Sequence, residues 1–171
     1  MDDTGWALAT ADGQFRFQGR TLRCALGKGG VVPAARKQEG DGATPAARLA
    51  LRRLLYRADR GPPPACAVPV EPLAPQDGWC DDPADRAYNR PVQLPFAGRH
   101  EALWRSDAVY DLIGILGWND APVERGRGSA IFLHLARPDY APTEGCVALS
   151  LPDLREALAA GLRGVEIRPN P

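Results

Sequence analysis

Apolar and polar positions alternate early in the chain and give way to unbroken apolar runs later. Over Thr21–Leu26, Leu22, Cys24 and Leu26 alternate with Arg23 and Ala25, the period of a half-buried strand. Gln14–Gln18 repeats that pattern with Phe15 and Phe17 on one face, and Gly19-Arg20 between the two runs predicts a hairpin turn. Leu49–Tyr56 has strand-like content, with a short helix as its competitor. Tyr110–Leu116 and Ala130–Leu135 are continuous, rich in Ile and Leu, and of strand length, which predicts central strands. Ser150-Leu151-Pro152-Asp153 carries the signals of a helix start, with Ser150 as N-cap and Asp153 closing a capping box. Leu151, Leu154 and Leu158 then mark one face, Gly161 ends the helix, and Val165–Ile167 makes a last strand. Arg99–Trp104 is the place for a second helix, on which His100, beside Glu101, would be solvated. The expected fold class is mainly β with one or two short helices.

Two segments break the pattern. Lys37–Pro45 is rich in Gly and acids and predicts a loop. Gly61–Pro75 has proline at six of its fifteen positions, which fixes φ and removes ladder donors, so it is neither a helix nor a central strand. A semi-rigid insert follows, either a plain surface loop or a wall of the active site.

Composition narrows the function. A chain of 171 residues with 44% hydrophobic content predicts one domain over residues 1–171. The 21 basic and 21 acidic residues cancel, without the basic stripe of a nucleic-acid binder. No run approaches the roughly 20 apolar residues of a membrane helix, and MDDTGWALAT lacks the apolar core of an ordinary signal peptide. Cys24, Cys66, Cys80 and Cys146 form no C-x-x-C pair. The first three read as small buried hydrophobes, with a Cys66–Cys80 bridge as the alternative in an oxidising compartment.

The candidate chemistry sits in IFLHLARPDYAPTEGCVALS. A thiol nucleophile needs a base to take its proton and donors for the oxyanion. His134 projects from an apolar strand. Cys146 follows Gly145, whose missing side chain admits a substrate carbonyl close to the backbone. Pro138 and Pro142 let the chain turn back between the two. From the residues alone, a satisfied core histidine and an inert buried cysteine remain open as the other reading. The papain-type order is excluded, because His134 precedes Cys146.

The piece from His134 to Thr143-Glu144-Gly145-Cys146-Val147-Ala148-Leu149 resembles the signature of the YkuD-type L,D-transpeptidases, and Gly42-Ala43-Thr44-Pro45 is similar to their upstream Thr-Pro loop. The likeness runs from about Leu22 to the C-terminus. It implies a β-sandwich or partly closed barrel, with Cys146 as acylated nucleophile and His134 as general base and acid. It also implies that the Leu135 carbonyl orients His134, and that the Gly145 and Cys146 amides face the oxyanion. No metal or organic cofactor is implied. Partners would be donor and acceptor peptidoglycan stems met by a monomer in the periplasm or cell envelope, with no nucleic acid.

Glu144 stands where the family usually has His, Ala148 where it usually has Arg, and the His-to-Cys gap is short. With the proline insert and the Trp79–Pro83 and Tyr88–Pro91 elements, these departures resemble a divergent proteobacterial branch that makes 1,3-crosslinks. Trp79, Tyr88, Asn89, Arg90, Tyr110, Thr143 and Glu144 are the candidates for the substrate groove. The alternatives are a 3,3-crosslinking enzyme, a carboxypeptidase or wall-link hydrolase using the same site, and an inactive wall-binding module.

Overall fold

A computed structural model describes residues 4–170. Its strands are β1 (Trp6–Thr10), β2 (Gln14–Phe17), β3 (Arg20–Arg23), β4 (Val31–Pro33), β5 (Thr44–Ala46), β6 (Arg48–Tyr56), β7 (Val70–Pro72), β8 (Asp77–Cys80), β9 (Pro91–Gln93), β10 (His100–Ala102), β11 (Leu112–Leu116), β12 (Phe132–Leu135), β13 (Val147–Leu149) and β14 (Gly164–Arg168). A 3-10 turn covers Ala34–Arg36, and α1 (Leu151–Ala159) is the one α-helix among the described residues.

The main sheet runs β13-β12-β11-β6-β14-β1-β2-β3, with β7 added beside the end of β6. Its two ends meet. Ala25, just beyond β3, exchanges both backbone hydrogen bonds with Ala148 of β13 at 2.9 Å each. The sheet therefore curls into a nearly closed barrel, which removes exposed edges. A small sheet, β10-β8-β9, and the parallel pair β4-β5 flank it.

Strand alternation explains the unbroken apolar runs. Along β11 and β12, Leu112, Leu116, Leu133 and Leu135 face the barrel core with Phe15, Leu54 and Val165. Ile113, Ile115 and Phe132 face a second cluster with Trp79, Leu103 and Tyr110. Strands covered on both faces need apolar residues at every position. Leu154, Ala157 and Leu158 of α1 bury against the barrel core, and the Ser150 hydroxyl caps the helix by accepting the Asp153 amide. Among the described residues no helix is long and apolar enough to cross a membrane.

Several expectations are corrected. The hairpin turn is Gln18-Gly19, one residue earlier, because both residues take positive φ (46° and 78°) as a tight two-residue hairpin requires. Arg99–Trp104 holds a strand instead of a second helix. Six residues are too few for a stable isolated helix, and His100–Ala102 finds ladder partners in Cys80–Gly78. Leu151 is 43% exposed at the first helical position, and Ala157 completes the buried face in its place. Thr44 and Pro45 end the predicted loop by pairing with β4. The first strand, β1, carried no signal because its buried residues include Ala7 and Ala9, which fill their places beside β14 without making an apolar stripe. All four thiols are free, and Cys66 is half-buried, its thiol donating to the Val68 carbonyl.

Candidate active site

β12 and β13 run parallel, with Leu133 beside Val147 and His134 beside Ala148. Paired residues of parallel strands share a face, and so do alternate residues of one strand. Leu133, Leu135, Val147 and Leu149 turn into the barrel. Phe132, His134, Cys146 and Ala148 therefore turn outward, onto one cleft of about 450 Å3 that His134, Cys146 and Ala148 line together.

The turn before Cys146 is fixed from beneath. Gly145 has φ 136°, and a β-carbon there would lie 2.8 Å from the Ala43 carbonyl oxygen. The Thr143 hydroxyl donates to the Cys146 carbonyl at 2.7 Å and accepts the Gly145 amide at 3.1 Å. That second bond already occupies one of the two amides expected to face an oxyanion. Thr143 also bridges Gly27, whose own amide donates to the buried Thr44 hydroxyl at 2.8 Å. The two sequence elements that resemble the family, Gly42–Pro45 and Thr143–Cys146, are thus in direct contact.

Cys146 is 7% exposed. Its thiol donates to the Ala130 carbonyl at 3.2 Å, and its sulfur accepts the Phe132 amide at 3.3 Å. Burial pushes the thiol up to about 12. The Glu101 and Glu144 carboxylates push the same way, against the Phe132 amide and the Lys37 ammonium. His134 is 6% exposed, and burial brings its pKa down to about 4. The Leu135 carbonyl opposes that shift, while Arg105 and Arg137 reinforce it. At neutral pH both groups are uncharged. His134 Nδ1 lies 3.0 Å from the Leu135 carbonyl, an acceptor only, so Nδ1 carries the ring proton and Nε2 is the basic nitrogen.

Ionic groups surround the pair. Arg105 grips Asp107 with two hydrogen bonds, at 2.8 and 2.7 Å, and lies over the Tyr110 ring, 5.3 Å from its centroid. That grip lowers the Asp107 carboxyl to about 2. The Tyr110 ring meets His134 edge to face at 5.3 Å, and its hydroxyl donates to Glu101 at 2.5 Å. Lys37 is 3% exposed and donates to the Gln38 carbonyl and to Asp41, each at 2.7 Å. Glu39 and Asp81 add acids to the cleft, and Arg99 and Arg137 add bases.

Of the groove candidates, Tyr110, Thr143 and Glu144 line this cleft, with Glu144 paired to Lys28 at its exposed rim. Trp79, Tyr88, Asn89 and Arg90 lie outside its lining. Trp79 packs edge-on against Phe132 at 5.2 Å and donates to Asn89. Asn89 also donates to the Trp118 and Asn119 carbonyls and accepts the Ala130 amide, so its amide group is fully used. Tyr88 donates to Glu39 and accepts the Gly128 amide, and Arg90 donates to the Asp120 carbonyl. Trp79, Tyr88 and Asn89 brace the 128–132 segment, whose carbonyl at Ala130 meets the thiol. No residue of the proline insert 61–75 lines the cleft; Pro69 and Val70–Pro72 instead extend the edge beside β6. Sequence reasoning missed Lys37, Glu101, Arg105 and Arg137. Glu101 was hidden by the helix assigned to its segment, and the arginines carry no local spacing signal.

Neither the curated proteins nor the solved structures compared with this chain include a match. One family model does match, over residues 8–164, a span holding both the His134 strand and the Cys146 turn: the chain belongs to the YkuD family, the L,D-transpeptidase catalytic domain, whose members are acyltransferases acting on peptidoglycan stems.

Proposed function

We propose that this protein is a peptidoglycan L,D-transpeptidase working through a Cys146 acyl-enzyme, with His134 as base and then acid. The observation that carries the reading is the shared cleft of Cys146 and His134, in which the Leu135 carbonyl holds the proton on Nδ1 and leaves Nε2 basic. The resting thiol is neutral, so the thiolate forms as the sulfur attacks, its proton passing to Nε2. The Phe132 amide, already donating to the sulfur, stabilises the charge that develops there. The Cys146 amide faces the tetrahedral oxyanion, and His134 returns the proton to the departing amine. An acceptor amine then attacks the thioester and restores the free thiol.

The donor bond is the L-Ala carbonyl of one stem, and the acceptor is the side-chain amine of diaminopimelate in another, giving a 1,3-crosslink in the periplasm. Ala148 supports this assignment. It is buried in the cleft where the common 3,3-crosslinking pattern has a charged side chain. Arg137, which acts on His134 from the cleft wall, suits a leaving group whose amine-bearing carbon also carries a carboxylate, a feature that the 1,3 and 3,3 donor bonds share. Mass spectrometry of muropeptide dimers tests both parts. Wild type is expected to yield dimers linked through L-Ala, and Cys146→Ala none. Dimers linked through the third stem residue would overturn the donor assignment, and dimers from Cys146→Ala would overturn the mechanism.

A further inference from the structure

Glu101 is one of the charged groups in the cleft that the mechanism above leaves unused. It projects from β10 into the cleft wall, and the Tyr110 hydroxyl occupies one of its oxygens. Among the described residues no cation forms an ion pair with it. Arg105, the guanidinium that acts on it, is committed to Asp107. Burial raises its carboxyl above the usual range, and the neighbouring Asp81 and Glu39 add to that. A half-buried carboxylate with a free oxygen and no counter-ion is incomplete, and a cationic ligand group completes it. The same carboxylate acts electrostatically on Cys146, and the Tyr110 that donates to it also meets the His134 ring.

A transpeptidase needs such a site for a chemical reason. Its acceptor amine arrives in water as an ammonium, which has no lone pair to attack with. His134, held neutral with a pKa near 4, is a weak acceptor for that first proton and has a second to handle during the attack. We propose that Glu101 docks the acceptor ammonium and takes its first proton, so that it selects amine over water at the acyl-enzyme. The proposal rests on the acyl-enzyme reading above. The ammonium N–H proton passes to the Glu101 carboxylate. The freed lone pair forms the new C–N bond, a second N–H proton moves to His134 Nε2, and the C–S bond breaks. The Cys146 sulfur leaves as thiolate and collects the proton from His134, and Glu101 returns its own to solvent. Tyr110 holds the carboxylate in place throughout.

The test partitions the acyl-enzyme between two nucleophiles. One is the ammonium-bearing acceptor stem. The other is hydroxylamine, which is uncharged at neutral pH and gives a hydroxamate of the donor. In Glu101→Gln the acceptor-stem concentration giving half-maximal dimer is expected to rise by about 10- to 100-fold, the scale of one charge-assisted hydrogen bond. Hydroxamate is expected to keep forming, and Glu101→Asp, which keeps the charge, is expected to hold more of the dimer reaction than Glu101→Gln. Dimer and hydroxamate falling by the same factor would overturn the proposal, as would equal losses in the two variants. If the wild type forms neither product, the acyl-enzyme reading itself fails and this one with it.

Discussion

Gly145 sets the backbone position from which the Cys146 sulfur extends. Its φ of 136° lies in the region that side-chain-bearing residues avoid, and the Ala43 carbonyl occupies the space a β-carbon would need. Moving Gly145 would move Cys146 with it, and with it the 3.2 Å and 3.3 Å contacts to Ala130 and Phe132. Gly145→Ala must either push back the Gly42–Thr44 loop or twist the turn. The expected cost is about 1–3 kcal/mol of stability from the backbone alone, read as a lower urea midpoint. Because the sulfur is displaced, acylation by a donor stem is expected to fall more than stability does, by at least about tenfold, since small misplacements of reacting groups carry large rate penalties. A variant that acylates at the wild-type rate would show that the turn tolerates displacement.

At the scale of elements, the site is a stack of strands joined by side chains that the primary structure only partly announces. Thr44 links β5 to Gly27, and Gly27 links to Thr143, so the loop before β6 supports the turn before β13. Thr44→Val keeps the shape and removes the acceptor, leaving the Gly27 amide buried and unpaired. That costs roughly 1–3 kcal/mol, and slower acylation is expected with it; an unchanged urea midpoint would mean the amide finds another acceptor. The elements that were legible are those whose burial is one-sided or complete. Phe15 and Phe17 gave β2 by alternation, the Ile- and Leu-rich runs gave β11 and β12, and Ser150 with Asp153 gave the start of α1. Illegible elements owe their form to partners distant in the chain. β1 is read only against β14, and His100–Ala102 is extended only because β8 lies beside it. The same holds within the site. His134 and Cys146 sit in a local pattern, whereas Glu101 reaches the cleft from a strand set by its pairing with β8, and Arg105 from the bend that follows it.

The whole molecule explains why the face carrying Cys146 and His134 is so buried. Closing the sheet through Ala25 and Ala148 fills the barrel with side chains and leaves the cleft on its outside, beneath the small β8–β10 sheet with Trp79 and Leu103. His134 is therefore buried without a carboxylate partner, its ring proton given to a backbone carbonyl. Its pKa falls from about 6.5 in the unfolded chain to about 4 in the folded one. Between those values the unfolded chain binds the proton and the folded protein does not, so stability is full above about pH 6.5 and is lost as pH falls toward 4. Integrated between pH 7 and pH 5, this one side chain accounts for a loss of about 2 kcal/mol. Glu101, whose carboxyl is raised, works in the opposite direction at lower pH, so the two groups must be separated by substitution. Urea unfolding of wild type and His134→Gln at pH 7 and pH 5 makes that separation: the wild type is expected to lose about 2 kcal/mol more than the variant over that interval. Equal losses would mean that His134 titrates in the folded protein much as it does in the unfolded chain, so that burial does not hold its ring neutral at pH 5.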